Sequence, residues 1–171
     1  MITNANTELA TKLGALLKRK AMLVATAESC TGGLVAASCT AIDGSSQWFE
    51  RGFITYSNAA KQENLGVNFD TLERFGAVSE ETAMEMASGV LTHTVGTHIA
   101  LSTTGIAGPT GATPGKPVGM VCFGVARRTQ DGIVTRAYTQ IFDGDRTAVR
   151  DQAVHFILQA ALDVLEAPEA A

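Results

Sequence analysis

A serine and a lysine are the side chains of this sequence that are best suited to nucleophilic chemistry. Ser29 lies within residues 26–33, TAESCTGG, and Lys61 ends residues 56–61, YSNAAK. A lysine held in a partly dry pocket can titrate low enough to accept a proton from a serine hydroxyl. Tyr56 could relay that proton or hold the lysine in place, and the backbone N–H groups of residues 30–33 could bind an oxyanion or a phosphate.

Each of these residues also has a purely structural interpretation. From spacing alone, Ser29 and Thr31 are favoured as caps of the helix that follows them, because small hydroxyl side chains accept from free helix N–H groups. Lys61 by itself fits a solvated helix lysine, and Tyr56 fits a packing residue at a strand end. Cys30 is a rival nucleophile, but these stretches contain no histidine to activate it, so a small buried thiol is the preferred interpretation.

Three strands are needed to position these side chains. Alternating or continuous apolar residues predict strands over 22–27, 48–57 and 97–104, and the last is followed by a Gly- and Pro-rich loop over 105–117. Loops of that length are more often functional than plain connections. Ligands of an open α/β sheet gather beyond the carboxyl ends of its strands, so we expect the three strand-end loops to face one pocket. With Lys61 and this loop in view, Ser29 becomes the predicted nucleophile and Thr31 the predicted cap.

The remaining patterns complete the predicted fold. Helices are predicted over 6–20 with Asn6 or Thr7 as the cap, 31–41, 59–65 with Asn58 as the cap, 79–93 from Ser79, and 145–166. Residues 69–75 predict a turn or a short helix, and the tail 167–171 is expected to fray. Strands 118–126 and 133–142 predict a hairpin. We therefore expect an α/β protein, a three-layer α/β/α sandwich whose mixed, mostly parallel sheet ends in an antiparallel hairpin, with residues 1–171 as a single domain.

Composition excludes several classes of function. The 171 residues are 46% hydrophobic and carry a formal net charge of −4, and basic residues cluster only at 18–20 and 127–128, which argues against a nucleic-acid groove. The chain shows neither a signal peptide nor a membrane span, so a cytoplasmic protein without a membrane partner is expected. The three cysteines and three histidines have no ligand-like spacing, which predicts no metal site.

Three motifs occur in a fixed order along the chain. They are residues 27–33 (AESCTGG), 56–61 (YSNAAK) and 104–109 (TGIAGP). Together they closely resemble the CinA C-terminal domain family, competence/damage-inducible proteins whose members include nicotinamide mononucleotide deamidases. Residues 76–79 (GAVS) before a helix and 116–119 (KPVG) before a strand extend the resemblance over nearly the whole chain.

The resemblance implies an α/β/α fold and hydrolysis of the carboxamide of nicotinamide mononucleotide to nicotinic acid mononucleotide and ammonia, with no metal or organic cofactor. It makes Ser29 the nucleophile, Lys61 the general base and Tyr56 a catalytic residue that assists the proton transfer. The implied substrate-binding residues are Cys30, Thr31, Gly32, Gly33, Ser57, Asn58, Thr104, Gly105, Ala107 and Gly108. The expected partner is a small pyridine nucleotide. Two departures stand out: Gly111-Ala112 where the family often has Gly-Gly, and no counterpart of the molybdopterin-related N-terminal domain of longer members.

Several alternatives stay open at this point. The residues by themselves do not select an amide or a nucleotide over another acyl substrate, so a catalytically silent nucleotide-binding or interaction module and a hydrolase of another small amide remain alternatives. Arg146 and Arg150 could form a phosphate site, but an ion pair at the start of the last helix is the favoured interpretation. The sequence does not decide between a monomer and a homo-oligomer.

Overall fold

The computed structural model describes residues 1–168, in which helices and strands alternate through most of the chain. The helices are α1 (Asn4–Arg19), α2 (Leu34–Thr40), α3 (Asn58–Leu65), α4 (Phe69–Phe75), α5 (Glu80–His93) and α6 (Arg146–Glu166), with a short 3₁₀ helix at Ser45–Gln47. The strands are β1 (Val24–Glu28), β2 (Phe49–Ile54), β3 (Ile99–Gly105), β4 (Met120–Thr129) and β5 (Gly132–Ile141).

Within residues 1–168 the strands form one five-stranded sheet in the order β2-β1-β3-β4-β5. β1 pairs in parallel with both β2 and β3, whereas β4 is antiparallel to β3 and to β5. Only β4 therefore runs against the other strands. The predicted mixed, mostly parallel sheet with a late hairpin is confirmed, and β1 lies between two parallel neighbours whose carboxyl ends meet beside its own.

Successive side chains of a strand point to opposite faces of the sheet, so alternate residues of the central strands pack into two separate hydrophobic cores. Val24 and Leu101 belong to the core against α1, α2 and α6, whereas Ala25 and Ala100 belong to the core against α5 and its neighbours. The three-layer α/β/α architecture follows from this division. None of the helices within residues 1–168 combines the length and the apolar character that crossing a membrane requires.

Two predicted helix caps are wrong by a few residues. α1 begins earlier than expected, and the Thr3 side chain accepts from the N–H of Asn6, so neither Asn6 nor Thr7 is the cap. Asn6 is instead buried, and its Nδ2 donates to Asp151 Oδ1 of α6 at 2.8 Å. The cap of α3 is Ser57, whose Oγ accepts from Ala60 N–H, rather than Asn58.

Other segments follow the predictions more closely. Ser79 caps α5, and residues 69–75 form a helix rather than a turn. The expected strand 48–57 is shorter, since only Phe49–Ile54 pairs and Trp48 is buried against α1. β4 runs three residues beyond its predicted end, so the connection of the hairpin is reduced to residues 130–131. The predicted fraying concerned residues 167–171, of which 169–171 lie outside the described part of the chain.

A glycine lets α5 approach the helix that carries Lys61. A Cβ atom added to Gly89 of α5 would lie 2.1 Å from the carbonyl oxygen of Leu65, the last residue of α3. No real Cβ atom tolerates that distance from a backbone oxygen, so the position of α3 depends on the absence of a side chain at Gly89.

We therefore expect Gly89→Ala to lower the free energy of unfolding by ~3 kcal/mol, because α3 must move to admit the methyl group. The better helix propensity of alanine, about 1 kcal/mol, offsets only part of this cost. Gly96→Ala is the matched control, since no heavy atom lies within 4 Å of a Cβ there. Denaturant unfolding of both variants measures the difference, and equal stabilities would contradict the close approach of the two helices.

Candidate active site

The carboxyl ends of β1 and β2 bring Ser29 and Lys61 together. Ser29 directly follows β1, and its N–H donates to the carbonyl oxygen of Thr103 in β3 at 2.9 Å. Lys61 lies in α3, which follows β2 after a short connection. The Lys61 Nζ atom lies 3.1 Å from Ser29 Oγ. The contact between amine and hydroxyl that a serine–lysine pair requires is therefore present.

The amine of Lys61 is shielded from solvent, and the residue is only 1% exposed. Its Nζ donates to the backbone carbonyl oxygens of Thr55 at 2.9 Å and Tyr56 at 3.2 Å, in addition to its contact with Ser29. Burial penalises the charged form and lowers the pKa of Lys61 to about 8. A neutral amine is therefore accessible close to physiological pH.

The two carbonyl oxygens also set the direction of proton transfer at Lys61. A carbonyl oxygen only accepts, so two N–H bonds of the amine are committed to Thr55 and Tyr56. In the neutral amine the remaining position holds the lone pair, which then faces the Ser29 hydroxyl. In the ammonium form the same position holds a proton that can be returned along the same line.

Glu28, the last residue of β1, holds the turn that carries Ser29. Its buried carboxylate accepts from Thr31 Oγ1 at 2.6 Å, and from the N–H groups of Gly33, Val35 and Ala36 at 3.2, 2.9 and 3.0 Å. The predicted capping of α2 by Thr31 is thus wrong: Gly33 occupies the cap position without a side-chain bond, and the carboxylate serves the free N–H groups.

The backbone donors near Ser29 are fewer than expected. The N–H of Gly32 donates to the Ser29 carbonyl oxygen, and that of Gly33 donates to Glu28. The N–H groups of Cys30 and Thr31 have no acceptor from another residue within 1–168. In this range the Cys30 N–H contacts only the thiol of its own residue, so these two N–H groups are the donors that remain for an oxyanion.

Arg150 of α6 fixes the peptide group that carries the Thr31 N–H and the peptide group that follows it. Its Nε donates to the Cys30 carbonyl oxygen at 3.1 Å, and its Nη2 donates to the Thr31 carbonyl oxygen at 3.2 Å. A guanidinium fork holds two acceptors in a defined geometry. Arg150 therefore orients the turn from outside, without contacting Ser29 or Lys61.

Within residues 1–168, the phenol of Tyr56 is hydrogen-bonded to Arg146 and to neither member of the serine–lysine pair. Lys61 contacts the backbone oxygen of Tyr56, whereas the phenol oxygen accepts from Arg146 Nη2 at 3.1 Å and the residue is 61% exposed. Tyr56 therefore holds Lys61 in place through its backbone carbonyl oxygen and not through its phenol. No hydrogen bond among the described residues links the phenol to Ser29 or Lys61, so the geometry lends no support to a proton relay through it.

Arg146 does not form the predicted ion pair at the start of α6. Its Nη1 donates to the carbonyl oxygen of Gly108 at 2.8 Å, and its Nη2 donates to Tyr56. Within residues 1–168 the one ion pair joins Arg51 to Glu50, and Asp145 caps α6 instead of pairing with Arg146. Arg146 is thus a cation without a carboxylate partner in that range, beside the loop after β3.

The other predicted binding residues lie around the site with different roles. Thr104 is buried, and its hydroxyl donates to the Ala77 carbonyl oxygen at 2.7 Å, so its proton stabilises the fold and is not available to a substrate. Ala107 is buried in the core, whereas Gly108 reaches Arg146 through its carbonyl oxygen. Ser57 accepts from the backbone N–H of Lys61 through its carbonyl oxygen at 3.1 Å. Among residues 1–168, no hydrogen bond joins Ser57, Asn58 or Gly105 to Ser29 Oγ or Lys61 Nζ.

Cys30 has the properties of a buried structural thiol. Burial raises the pKa of Cys30 to about 12, so the thiolate that a cysteine nucleophile needs is scarce at neutral pH. The rival nucleophile is thereby disfavoured. Across residues 1–168 no group of three or more His, Cys, Asp or Glu side chains is placed to hold a metal ion.

Sequence reasoning missed the roles of Glu28 and Arg150. A carboxylate between a strand and the helix that follows it is a signal that could have indicated Glu28, because acidic groups stabilise helix N-termini. Arg150 contacts residues about 120 positions away, and no local pattern announces such a contact.

The comparisons with known proteins agree with this architecture. The family model for the CinA C-terminal domain matches residues 6–165. The chain belongs to the CinA C-terminal domain family. A nicotinamide-nucleotide amidohydrolase PncC from Enterobacter agglomerans is 57% identical over 155 residues, which cover 91% of this chain and 92% of that protein.

Other CinA relatives include both longer chains and solved structures. A CinA-like protein from Chloroherpeton thalassium is 52% identical over 91% of this chain, but the match spans only 37% of that longer protein. The crystal structure of a competence/damage-inducible protein from Agrobacterium tumefaciens superposes with a TM-score of 0.88 at 39% identity, covering 98% of this chain and 99% of that one. The sandwich is therefore the CinA fold.

Proposed function

We propose that this chain is a nicotinamide-nucleotide amidohydrolase that converts nicotinamide mononucleotide and water to nicotinic acid mononucleotide and ammonia. The contact between Lys61 Nζ and Ser29 Oγ, 3.1 Å long and held by two carbonyl acceptors, carries the proposal. The printed name of the Enterobacter agglomerans relative, which this chain matches over 92% of that protein, supports the choice of substrate.

In the first half of the reaction, neutral Lys61 takes the proton of the Ser29 hydroxyl as Oγ attacks the carboxamide carbon. The carboxamide oxygen becomes an oxyanion, which the N–H groups of Cys30 and Thr31 stabilise, since neither has an acceptor from another residue within 1–168. Lys61 then gives its proton to the departing nitrogen. The C–N bond breaks, ammonia leaves, and the acyl group is an ester on Ser29.

In the second half, a water molecule replaces ammonia beside Lys61. The neutral amine takes a proton from this water as its oxygen attacks the ester carbon. The C–O bond to Ser29 breaks, Lys61 returns the proton to Oγ, and the product leaves with a carboxylic acid that ionises. One water is consumed and one ammonia is released in each cycle.

The phosphate of the substrate is assigned to the Arg146 side of the site. Arg146 has no carboxylate partner within residues 1–168, and Arg150 adds a second guanidinium beside the Ser29 turn. The usual anion site at the start of α2 is already taken by the Glu28 carboxylate, which would repel a phosphate. An arginine fork is well suited to a phosphate.

The proposal is tested by incubating the protein with nicotinamide mononucleotide and measuring ammonia and the carboxylate product. We expect stoichiometric release of both. A panel of other small amides and calorimetric titration with the mononucleotide accompany the assay. Binding without turnover would favour the silent binding module, and turnover of another amide alone would favour a different hydrolase.

We expect Arg146→Ala to raise KM for nicotinamide mononucleotide by roughly 10–100-fold, because a charge-assisted hydrogen bond to the phosphate is lost. The KM for nicotinamide riboside, which lacks the phosphate, should rise much less. Arg51→Ala is the matched control, since Arg51 lies on β2 and pairs with its neighbour Glu50. Steady-state kinetics on both substrates measures the effect, and an equal loss for both would contradict a phosphate contact.

A further inference from the structure

The ring of Tyr56 is exposed although both ends of the residue are fixed. Its backbone oxygen accepts from Lys61 Nζ at 3.2 Å, and its phenol oxygen accepts from Arg146 Nη2 at 3.1 Å. Arg146 is held in turn by the Gly108 carbonyl oxygen at 2.8 Å. Tyr56 therefore contacts Lys61 through its backbone and Arg146 through its phenol, and 61% of the residue remains exposed.

This placement matches the order of groups in the substrate. In a nicotinamide nucleotide the carboxamide and the phosphate are attached to opposite sides of a pyridinium ring and its ribose. With the carboxamide at Ser29 and the phosphate at Arg146, the pyridinium ring lies between them, where the Tyr56 ring lies. A side chain held at both ends has also lost most of its conformational freedom before a ligand binds, which favours affinity.

Within residues 1–168 the site offers basic side chains but no available carboxylate, so an aromatic face is the group left to bind the positively charged pyridinium ring. Lys61, Arg146 and Arg150 are all basic, and the nearby carboxylate of Glu28 is buried and consumed by Thr31 and three helix N–H groups. None of the hydrogen bonds of the described residues places a carboxylate on Ser29, Lys61 or Arg146. An aromatic face attracts a cation without requiring a carboxylate.

We propose that the exposed face of Tyr56 binds the positively charged ring of the substrate, which makes quaternary pyridinium carboxamides the preferred substrate class over carboxamides on uncharged rings. This rests on the proposed function, whose substrate it specifies. Tyr56 thereby determines specificity through its ring, and its phenol oxygen serves to anchor that ring to Arg146.

The test measures binding in a Ser29→Ala background, so that no turnover interferes. Calorimetry compares nicotinamide mononucleotide with its dihydro form, which keeps the carboxamide, ribose and phosphate but has an uncharged ring. With Tyr56 present, we expect the pyridinium form to bind about tenfold more tightly. Tyr56→Leu should bring the ratio of the two dissociation constants close to one. Tyr56→Phe should keep most of this ratio, because the aromatic ring remains. Both ligands should bind less tightly to it, because the hydrogen bond that anchors the ring to Arg146 is lost.

Phe69→Leu is the matched control, since it removes another exposed aromatic ring, on α4, and should leave the ratio unchanged. The proposal is overturned if Tyr56→Leu keeps the ratio or if Tyr56→Phe abolishes it. Failure of the proposed function would be seen separately, as absence of ammonia release by the unmodified protein.

Discussion

We expect Ser29→Ala to lower kcat for ammonia release from nicotinamide mononucleotide by roughly 10⁴-fold or more, because no other side chain is placed to attack the carboxamide. Lys61 cannot substitute, since two of its N–H bonds are committed to backbone oxygens. Binding of the nucleotide should change little, because the hydroxyl is small and the N–H donors of the turn belong to the backbone.

Ser38→Ala provides the control for this substitution. Ser38 is also buried, and its hydroxyl donates to the Leu34 carbonyl oxygen within α2, so the same atoms are removed without touching the site. Steady-state rates and calorimetric affinity are measured for both variants. A Ser29→Ala enzyme that keeps a tenth of the activity would contradict the assignment of the nucleophile.

The second large effect concerns Lys61. We expect Lys61→Met to lower kcat by roughly 10³-fold, because the general base is lost while most of the apolar volume is kept. Lys61→Arg should be about as poor, since a guanidinium is not deprotonated in proteins. In the unmodified enzyme kcat/KM should rise with pH and level off above a pKa of about 8, where Lys61 becomes neutral. Measuring rates of all three proteins against pH shows whether this rise belongs to Lys61.

The same pKa predicts how stability depends on pH. Burial lowers the pKa of Lys61 from 10.5 to about 8, so between those values the unfolded chain binds more protons than the folded one. The free energy of unfolding should therefore gain a contribution as pH rises from about 8 towards 10.5, and Lys61→Met should lack it. A variant with the same dependence as the unmodified protein would contradict the burial of a titrating amine.

The sequence predicts the sheet and the contact between Ser29 and Lys61 because both depend on local signals. Apolar runs that end in small polar residues indicated the strand ends, and parallel neighbours of β1 then had to place those ends side by side. Ser29 and Lys61 are 32 positions apart, yet the strand order brings them into contact.

The direction of a side chain is harder to predict than the position of its backbone. Tyr56 lies at the predicted strand end, but its phenol turns towards Arg146, which is 90 positions further along the chain. Thr31 stands before α2 as a cap would, but it donates to Glu28 instead. Which of several hydrogen-bonding groups serves a helix end depends on geometry that residue types do not determine.

The central claim is that Ser29 becomes acylated during turnover, and it can be tested directly. The enzyme is mixed with saturating nicotinamide mononucleotide, quenched with acid over a series of millisecond times, digested and analysed by mass spectrometry. We predict that the peptide containing Ser29 carries the acyl nucleotide as an ester that forms before steady state and disappears when the substrate is exhausted. An adduct on Cys30 or Lys61, or turnover during which Ser29 is unmodified at every time point, would contradict the mechanism.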